Sequence, residues 1–474
     1  MQLNRVITGI TAQQYNMKDV EVSTIEFDSR KVTPGALYVA LEGDKYDGHK
    51  FIKDVEQAGA VAVITQKKIN CGLPQIVVED SRAILGALAK NFYGHFSELI
   101  KVGITGTNGK TTTAFLLHSI LSRAGKNPGL IGTVYYQGGT RRKAGHTTPE
   151  ILDILRLFKE YQDEGITSIV MEVSSHALKL KRVEEIDFDA AVFTNLSQDH
   201  LDFHGTMEEY RHAKLHLFSL LKPGGWAVYN NDQAVSAEIL KLPLEHRLSF
   251  GTTQESDVWA QLVDDSLEGL RLIIHHADAH YEVVSPLVGT YNLYNILAAF
   301  TSAIALGVDA ESIRRGIKEL SAVRGRMERV VDSVFVDFAH TPSALENILQ
   351  SARKYTRGRL FVVFGCGGDR DRTKRPRMGA ISTRLADLTV ITSDNPRSES
   401  PTHIIEEIKQ GVVRENYKAI TDRKAAIEYA MRAKDKEDLV IVAGKGHEEY
   451  QLVGDQTIEF DDAEVIRECF ANLR

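Results

Sequence analysis

Residues 103–113, Gly-Ile-Thr-Gly-Thr-Asn-Gly-Lys-Thr-Thr-Thr, follow the apolar run 99–104 and open a helix-like run at 114–123. A glycine-rich turn between strand and helix aims backbone N–H groups at phosphate oxygens, where the helix N-terminus adds the positive end of its dipole. Gly106, Thr107, Asn108 and Gly109 form the turn, Lys110 adds a point charge, Thr111 and Thr112 bring hydroxyls, and that of Thr111 is placed for Mg²⁺. The chemistry is binding of a nucleoside triphosphate. Five residues separate Gly103 from Gly109, one more than in the common loop, so this is a variant form.

Three further side chains could complete a phosphoryl-transfer site. Glu172 ends the strand-like run 168–171, and His200 lies between Asp199 and Asp202 beyond the run 190–194. Strand ends are where open α/β sheets hold ligands, so Glu172 and His200 are candidate metal ligands beside Thr111. A polar residue at a strand end also caps helices or faces water. The helix opening at Thr206, with Glu209 completing a capping box, carries an apolar stripe of Tyr210, Ala213, Leu217, Phe218 and Leu221, and Lys214 falls on it. A lysine on a buried face ordinarily snorkels to water. Desolvated instead, its amine becomes a nucleophile that CO₂ converts to a carbamate, an anion able to hold a second Mg²⁺. Lys110, Glu172, His200 and Lys214 form the candidate catalytic set.

The elements that position these groups alternate. Strand-like runs at 60–65, 102–105, 168–171, 190–194, 360–364, 388–392 and 439–443 are separated by helical patterns, implying parallel sheets with crossover helices. Residues 258–284 read as short antiparallel strands. A chain of 474 residues allows about three domains, taken here as 1–97, 98–323 and 324–474, the last opening at Arg324-Gly325-Arg326. Cys71, Cys366 and Cys469 form neither a C-x-x-C pair nor an even set, which suits a reducing cytosol. No run of about 18 apolar residues occurs, so a soluble cytoplasmic protein without membrane insertion is expected. A net charge of −7 without long blocks argues against a nucleic-acid binder. The basic stretch 370–377 reads by default as solvated surface.

Gly106-Thr107-Asn108-Gly109-Lys110-Thr111-Thr112, Glu172-Val173-Ser174-Ser175-His176-Ala177-Leu178, Asp199-His200-Leu201-Asp202-Phe203-His204-Gly205-Thr206 and Ala213-Lys214 together resemble the Mur ligases of peptidoglycan synthesis. The likeness spans the chain, through Asp28-Ser29-Arg30, His146-Thr147-Thr148-Pro149, Tyr291-Asn292-Leu293-Tyr294-Asn295, Gly325-Arg326, Asp337-Phe338-Ala339-His340-Thr341-Pro342, Asp394-Asn395-Pro396-Arg397 and Gly444-Lys445-Gly446-His447-Glu448. The resemblance implies an α/β chain of three domains: an N-terminal UDP-substrate domain, a central P-loop parallel-sheet domain and a C-terminal Rossmann-like domain. It implies that Phe27 and Ser29 hold the UDP end of the substrate, and that His146, Thr147, Thr148, Ser174 and Arg182 hold its muramoyl-peptide side. Asn295, Arg326 and Asp337 would address ATP, and Thr111, Glu172, His200 and carbamylated Lys214 would hold Mg²⁺. His146 stands where many members have Asn, and Leu180 where many have Gln. The implied reaction activates a carboxylate as an acyl phosphate at the expense of ATP, then forms an amide with an incoming amine. Arg326 and His340, near the domain junction, are expected to act as closure contacts.

Arg397 follows a strand-like run and a proline turn, and its guanidinium offers a two-pronged partner to a carboxylate. The Asp-Asn-Pro-Arg form is similar to that of members adding meso-diaminopimelate to UDP-N-acetylmuramoyl-L-Ala-D-Glu; lysine has no second carboxylate for the arginine to receive. Arg370, Asp394, Asn395, Pro396, Gly444 and Glu448 would complete the pocket, with Glu448 reading an ammonium. Two other ligase readings stand beside this one, a lysine-adding member and a folylpolyglutamate-type enzyme. The Asp28-Ser29-Arg30 segment and Asp394–Arg397 motif weigh against the folate reading. A catalytically silent nucleotide-binding scaffold should have lost Lys110, Glu172, His200 or Lys214, and all four are present. A monomer is expected.

Overall fold

A computed structural model of the chain describes residues 1–43 and 47–473. The first sheet is ordered Gln13–Tyr15, Gln75–Val77, Ala62–Thr65, Ala36–Val39, Thr24–Glu26, and is parallel except at the first strand. Ala36–Val39 and Ala62–Thr65 are buried along their whole length, as unbroken apolar strands between covering layers must be.

The second sheet has 11 strands. Its parallel centre runs Val258–Ser266, His246–Gly251, Leu221–Asn230, Phe188–Phe193, Ile100–Thr105, Ser168–Glu172, Pro128–Ile131. Both ends turn antiparallel, through Gly269–His276 and Ala279–Ser285 on one side and Tyr135–Gln137 and Arg141–Lys143 on the other. The sheet is therefore mixed rather than purely parallel. The second hairpin is a finding the apolar runs did not announce, because its strands are short and polar. Helix Lys110–Arg123 packs with Tyr291–Ala305 and Ala310–Glu319 over one face, burying Leu116, Leu117, Ile120, Leu297, Phe300 and Ile313.

The third sheet is ordered Glu328–Val331, Val334–Asp337, Leu439–Ala443, Leu360–Phe364, Leu388–Ile391, Tyr417–Ala419, parallel but for its first strand. A hairpin, Tyr450–Val453 with Gln456–Glu459, stands beside it.

One expected helix ends early. Met207–Leu215 is helical, His216–Leu220 tightens into a 3₁₀ turn, and Leu221 begins a strand. Pro223 lacks the N–H a continuing helix needs and disfavours helical backbone at Lys222. The parts are tied by specific contacts. Arg156 of helix Ile151–Asp163 donates to the Ile25 carbonyl and to Glu26 Oε1, both at 2.9 Å. Arg324 reaches Glu449 Oε1 and Asp461 Oδ2, each at 2.6 Å, while Lys143 lies 3.4 Å from Glu449 Oε2.

Candidate active site

The phosphate loop joins Ile100–Thr105 to Lys110–Arg123 in the middle of the large sheet. Gly106 and Gly109 have φ of +148° and +87°, and a Cβ at either would stand 1.9 Å from Thr194 Oγ1 or 2.3 Å from Asn295 Oδ1. Glycine is required at both. The neighbouring strand's end shapes the rest of the loop. Asn195 Oδ1 accepts from Asn108 N at 2.9 Å, Thr194 Oγ1 donates to the Asn108 carbonyl at 2.6 Å, and Thr107 Oγ1 donates to the Ser197 carbonyl at 3.1 Å.

Glu172 is buried at the end of Ser168–Glu172, one strand away from the loop. Its Oε2 accepts from Thr111 Oγ1 and from Thr133 Oγ1, both at 2.9 Å, and its Oε1 accepts from Thr133 N at 2.7 Å. Arg326, from the third sheet's approach, donates to Thr111 Oγ1 at 3.2 Å. The expected pair of Thr111 and Glu172 is thus in direct contact, and Thr133 is a positioning partner that no sequence motif marked. Among the described residues, no cluster of three or more His, Cys, Asp or Glu side chains is arranged to hold a metal by itself. The Thr111 hydroxyl and the Glu172 carboxylate suit Mg²⁺ all the same, because that ion takes one or two protein oxygens and fills its shell from phosphates and water.

Lys214 does not snorkel. It is 1 % exposed and its Nζ donates to the Gly106 carbonyl at 2.8 Å, the same carbonyl that Lys110 Nζ reaches at 2.8 Å. Burial, reinforced by the neighbouring Lys110 ammonium, holds the Lys214 amine well below the usual lysine range. A neutral amine is the form that reacts with CO₂. Burial also lowers Lys110, against the pull of Glu172 and Asp199.

His200 has φ of +53°, rare for a side-chain-bearing residue and a mark of functional constraint. Its ring is 3.4 Å from Asp199 Oδ2 and meets the His176 ring edge-on at 4.7 Å between centroids. The ring is 42% exposed at the cleft, and partial desolvation there lowers it to about 4 in spite of Asp199. The structure ties His200 to Asp199 and His176 rather than to Glu172. Asn295 Nδ2 donates to Asn292 Oδ1 at 2.8 Å beneath the loop. Asp337 accepts from Met327 N at 2.7 Å and Ala339 N at 2.8 Å, and burial raises it to about 6. His340 is lowered by burial, with Lys374 adding to the effect.

A cleft of about 660 Å³ opens between the second and third sheets. One wall holds His146, Thr147, Thr148, Ser174, Leu180 and Arg182; the floor holds Asp199 and His200; the other wall holds Arg370, Asp394, Asn395, Arg397, Gly444 and Glu448. Thr148 Oγ1 donates to the Glu172 carbonyl at 2.9 Å and accepts from Ser174 N at 3.0 Å, so the first wall is built onto the strand that ends in Glu172. Arg182 pairs with Glu150 at 3.0 Å. Arg397 has φ of +52°, and its guanidinium donates to the Gly368 carbonyl at 2.9 Å. Burial and the neighbouring Arg370 both lower it. Neither arginine is paired with a carboxylate among the described residues. Pro396 shapes the turn without lining the cleft. Phe27 and Ser29 stand outside it, Ser29 opening the 3₁₀ turn Ser29–Lys31 on the first domain. In the basic stretch 370–377, Arg375 departs from the solvated expectation. It is fully buried between Glu399 and Glu407, at 2.8 and 2.5 Å.

Three family models match: Mur ligase family, catalytic domain at 21–93; Mur ligase middle domain at 104–303; and Mur ligase, glutamate ligase domain at 325–446. The chain belongs to the Mur ligase family. It is 42% identical to the UDP-N-acetylmuramoyl-L-alanyl-D-glutamate--2,6-diaminopimelate ligase of Bacillus velezensis, covering 100% of this chain and 99% of that one. A solved structure of a ligase with the same name is 31% identical, with a TM-score of 0.70 over 100% of this chain and 99% of that one. The folylpolyglutamate synthase of Mycobacterium tuberculosis, solved with ADP and AMPPCP, shares the fold at a TM-score of 0.63. It is 17% identical over 77% of this Mur ligase and 92% of its own chain.

Proposed function

We infer that this Mur ligase is an ATP-dependent amide ligase of the MurE type, joining meso-2,6-diaminopimelate to UDP-N-acetylmuramoyl-L-Ala-D-Glu in peptidoglycan precursor synthesis. The observation that carries the substrate reading is the Arg370 and Arg397 pair, two guanidiniums without acid partners among the described residues, sharing a cleft wall with Asp394 and Glu448. Such a wall matches a zwitterion with an additional carboxylate. The full-length relative named for 2,6-diaminopimelate supports it. ATP and UDP-linked substrates assign the reaction to the cytoplasm, and one chain supplies every group, so a monomer suffices.

In the first step a carboxylate of the UDP-substrate attacks the γ-phosphorus of ATP. An oxygen–phosphorus bond forms, the bond to the β–γ bridging oxygen breaks, and ADP leaves with its electron pair. The loop N–H groups and Lys110 balance charge on the phosphates, with Arg326 approaching from the third domain. Thr111 and Glu172, with His200 and a Lys214 carbamate as further donors, would hold Mg²⁺, which would supply charge neutralisation there. In the second step an amine of diaminopimelate attacks the acyl carbon, phosphate departs, and the nitrogen loses a proton as the amide forms. Thr147, Thr148, Ser174 and Arg182 orient the acyl side; Arg397 and Glu448 orient the amine side. Holding both in one cleft supplies the proximity that an intermediate sensitive to water needs.

The test is phosphate release from ATP with UDP-N-acetylmuramoyl-L-Ala-D-Glu and meso-diaminopimelate, L-lysine or no amino acid. Release with diaminopimelate alone is expected. Equal release with lysine would overturn the role of Arg397, and no release with either would overturn the ligase assignment.

A further inference from the structure

Lys445 sits behind the amino-acid wall of the cleft, between Gly444 and Gly446, with its side chain fully buried. A buried ammonium is costly unless its donors are met. Its three donors face three acceptors: Asn395 Oδ1 at 3.2 Å, Glu448 Oε2 at 3.3 Å, and the Tyr450 carbonyl. These contacts decide how two pocket side chains point. Asn395 Oδ1 accepts from Lys445 and also from Leu452 N at 3.0 Å, which turns its Nδ2 onto Glu448 Oε2 at 2.8 Å. Glu448 is thereby gripped through Oε2 alone. Its Oε1 has no hydrogen-bond partner among the described residues and is left for a ligand on the cleft wall.

The charge balance points the same way. Asp394 and Glu448 line one wall, and Glu448 is raised by burial and then by Asp394. The Lys445 ammonium lowers Glu448 against those two effects, which keeps its carboxylate available as an anion beside Asp394.

We propose that Lys445 is a positioning residue for the amino-acid substrate, fixing Asn395 and Glu448 so that one free carboxylate oxygen of Glu448 meets the incoming ammonium. This rests on the reading of the wall as the diaminopimelate pocket. The test is steady-state kinetics of the full-length enzyme carrying Lys445→Met, Glu448→Gln, or both. Lys445→Met should raise KM for meso-diaminopimelate by about tenfold or more, as loss of hydrogen bonds to a charged group does, while KM for ATP stays within about twofold. The double variant should be no worse than Glu448→Gln, because Lys445 acts through the group already removed. Should Lys445→Met fail to fold, the double variant, which has no carboxylate at 448 to leave unpaired, carries the same comparison. Effects that multiply in the double variant, or a KM for ATP that rises in step, overturn the proposal. A normal KM for diaminopimelate in Lys445→Met, with a raised one in Glu448→Gln, overturns it alone; an unchanged KM in Glu448→Gln overturns the pocket reading and this proposal with it.

Discussion

Arg397→Ala separates recognition of the amino acid from everything else in the cleft. The backbone at this position is held independently of the side chain, because Arg397 N donates to the Leu452 carbonyl at 2.9 Å and Gly454 N to the Arg397 carbonyl at 2.8 Å. Alanine adds no backbone strain, since arginine already occupies φ of +52°. The half-buried guanidinium donates to the Gly368 carbonyl at 2.9 Å and to the Asn395 carbonyl at 3.5 Å, and it feels the opposing charge of Arg370 together with the attraction of Asp394, Glu448 and Asp369. Removing it relieves that repulsion but gives up those bonds and attractions, so the ligand-free variant should melt close to the parent. A substrate carboxylate, by contrast, loses a charge-assisted bond of about 1.5–3 kcal/mol, or roughly a 10- to 150-fold rise in KM for meso-diaminopimelate. The assay is phosphate release with the amino acid varied at saturating ATP and UDP-substrate. The preference for diaminopimelate over lysine should fall by a similar factor, because lysine never used the lost contact. A KM for ATP that rises equally, or a preference left intact, would refute the assignment.

Lys214→Ala should abolish turnover, and a short carboxylic acid should restore part of it by supplying the anion in trans; undiminished activity of the unrescued variant would remove the carbamate from the mechanism. Asp337, about 6 when folded and near 3.8 otherwise, binds its proton more tightly in the folded chain, so its contribution to stability is present at low pH and is lost as pH rises through 6. Melting temperatures across pH 4–7 should therefore show the parent losing stability relative to Asp337→Asn between roughly pH 4 and pH 6 and not above; a constant difference would contradict this. Gly325→Ala would place a Cβ 2.3 Å from His447 N at a φ of +66°. A loss of about 2–4 kcal/mol is expected in thermal melts, together with a raised KM for the amino acid, because the loop bearing Glu448 must shift.

The sequence made legible what depends on local pattern. The phosphate loop could be read because its glycines, lysine and threonine are contiguous, and Glu172 because a polar residue closes an apolar run. Lys214 was visible as a cation on an apolar stripe, but only the Gly106 carbonyl 2.8 Å away decides between a snorkelling and a buried amine. Thr133 gave no signal. It meets Glu172 only because Pro128–Ile131 and Ser168–Glu172 are neighbours in the sheet, and strand order is not written in either segment. Arg375 was hidden for a similar reason, since its carboxylate partners Glu399 and Glu407 come from a later turn and helix. The N-terminal strands, several of them only three residues long, are too short to show periodicity.

Close packing at Gly325 ties two of these local pieces together. Gly325 packs so closely on Gly446 and His447 that no side chain fits between them, and the next residue, Arg326, reaches the Thr111 hydroxyl at 3.2 Å. Arg326 and the Gly444–Glu448 loop are therefore parts of one packed unit. Arg324 adds to the coupling by holding Glu449 and Asp461, with Lys143 of the central hairpin on the same Glu449. Exposed ion pairs of this kind contribute little to stability, and as little to the choice between arrangements, so the close packing at Gly325 is the stronger tie. In the proposed reading Arg326 beside Thr111 and Glu448 on the cleft wall thus belong to one packed unit, which places the nucleotide side and the ammonium-reading carboxylate in fixed relation.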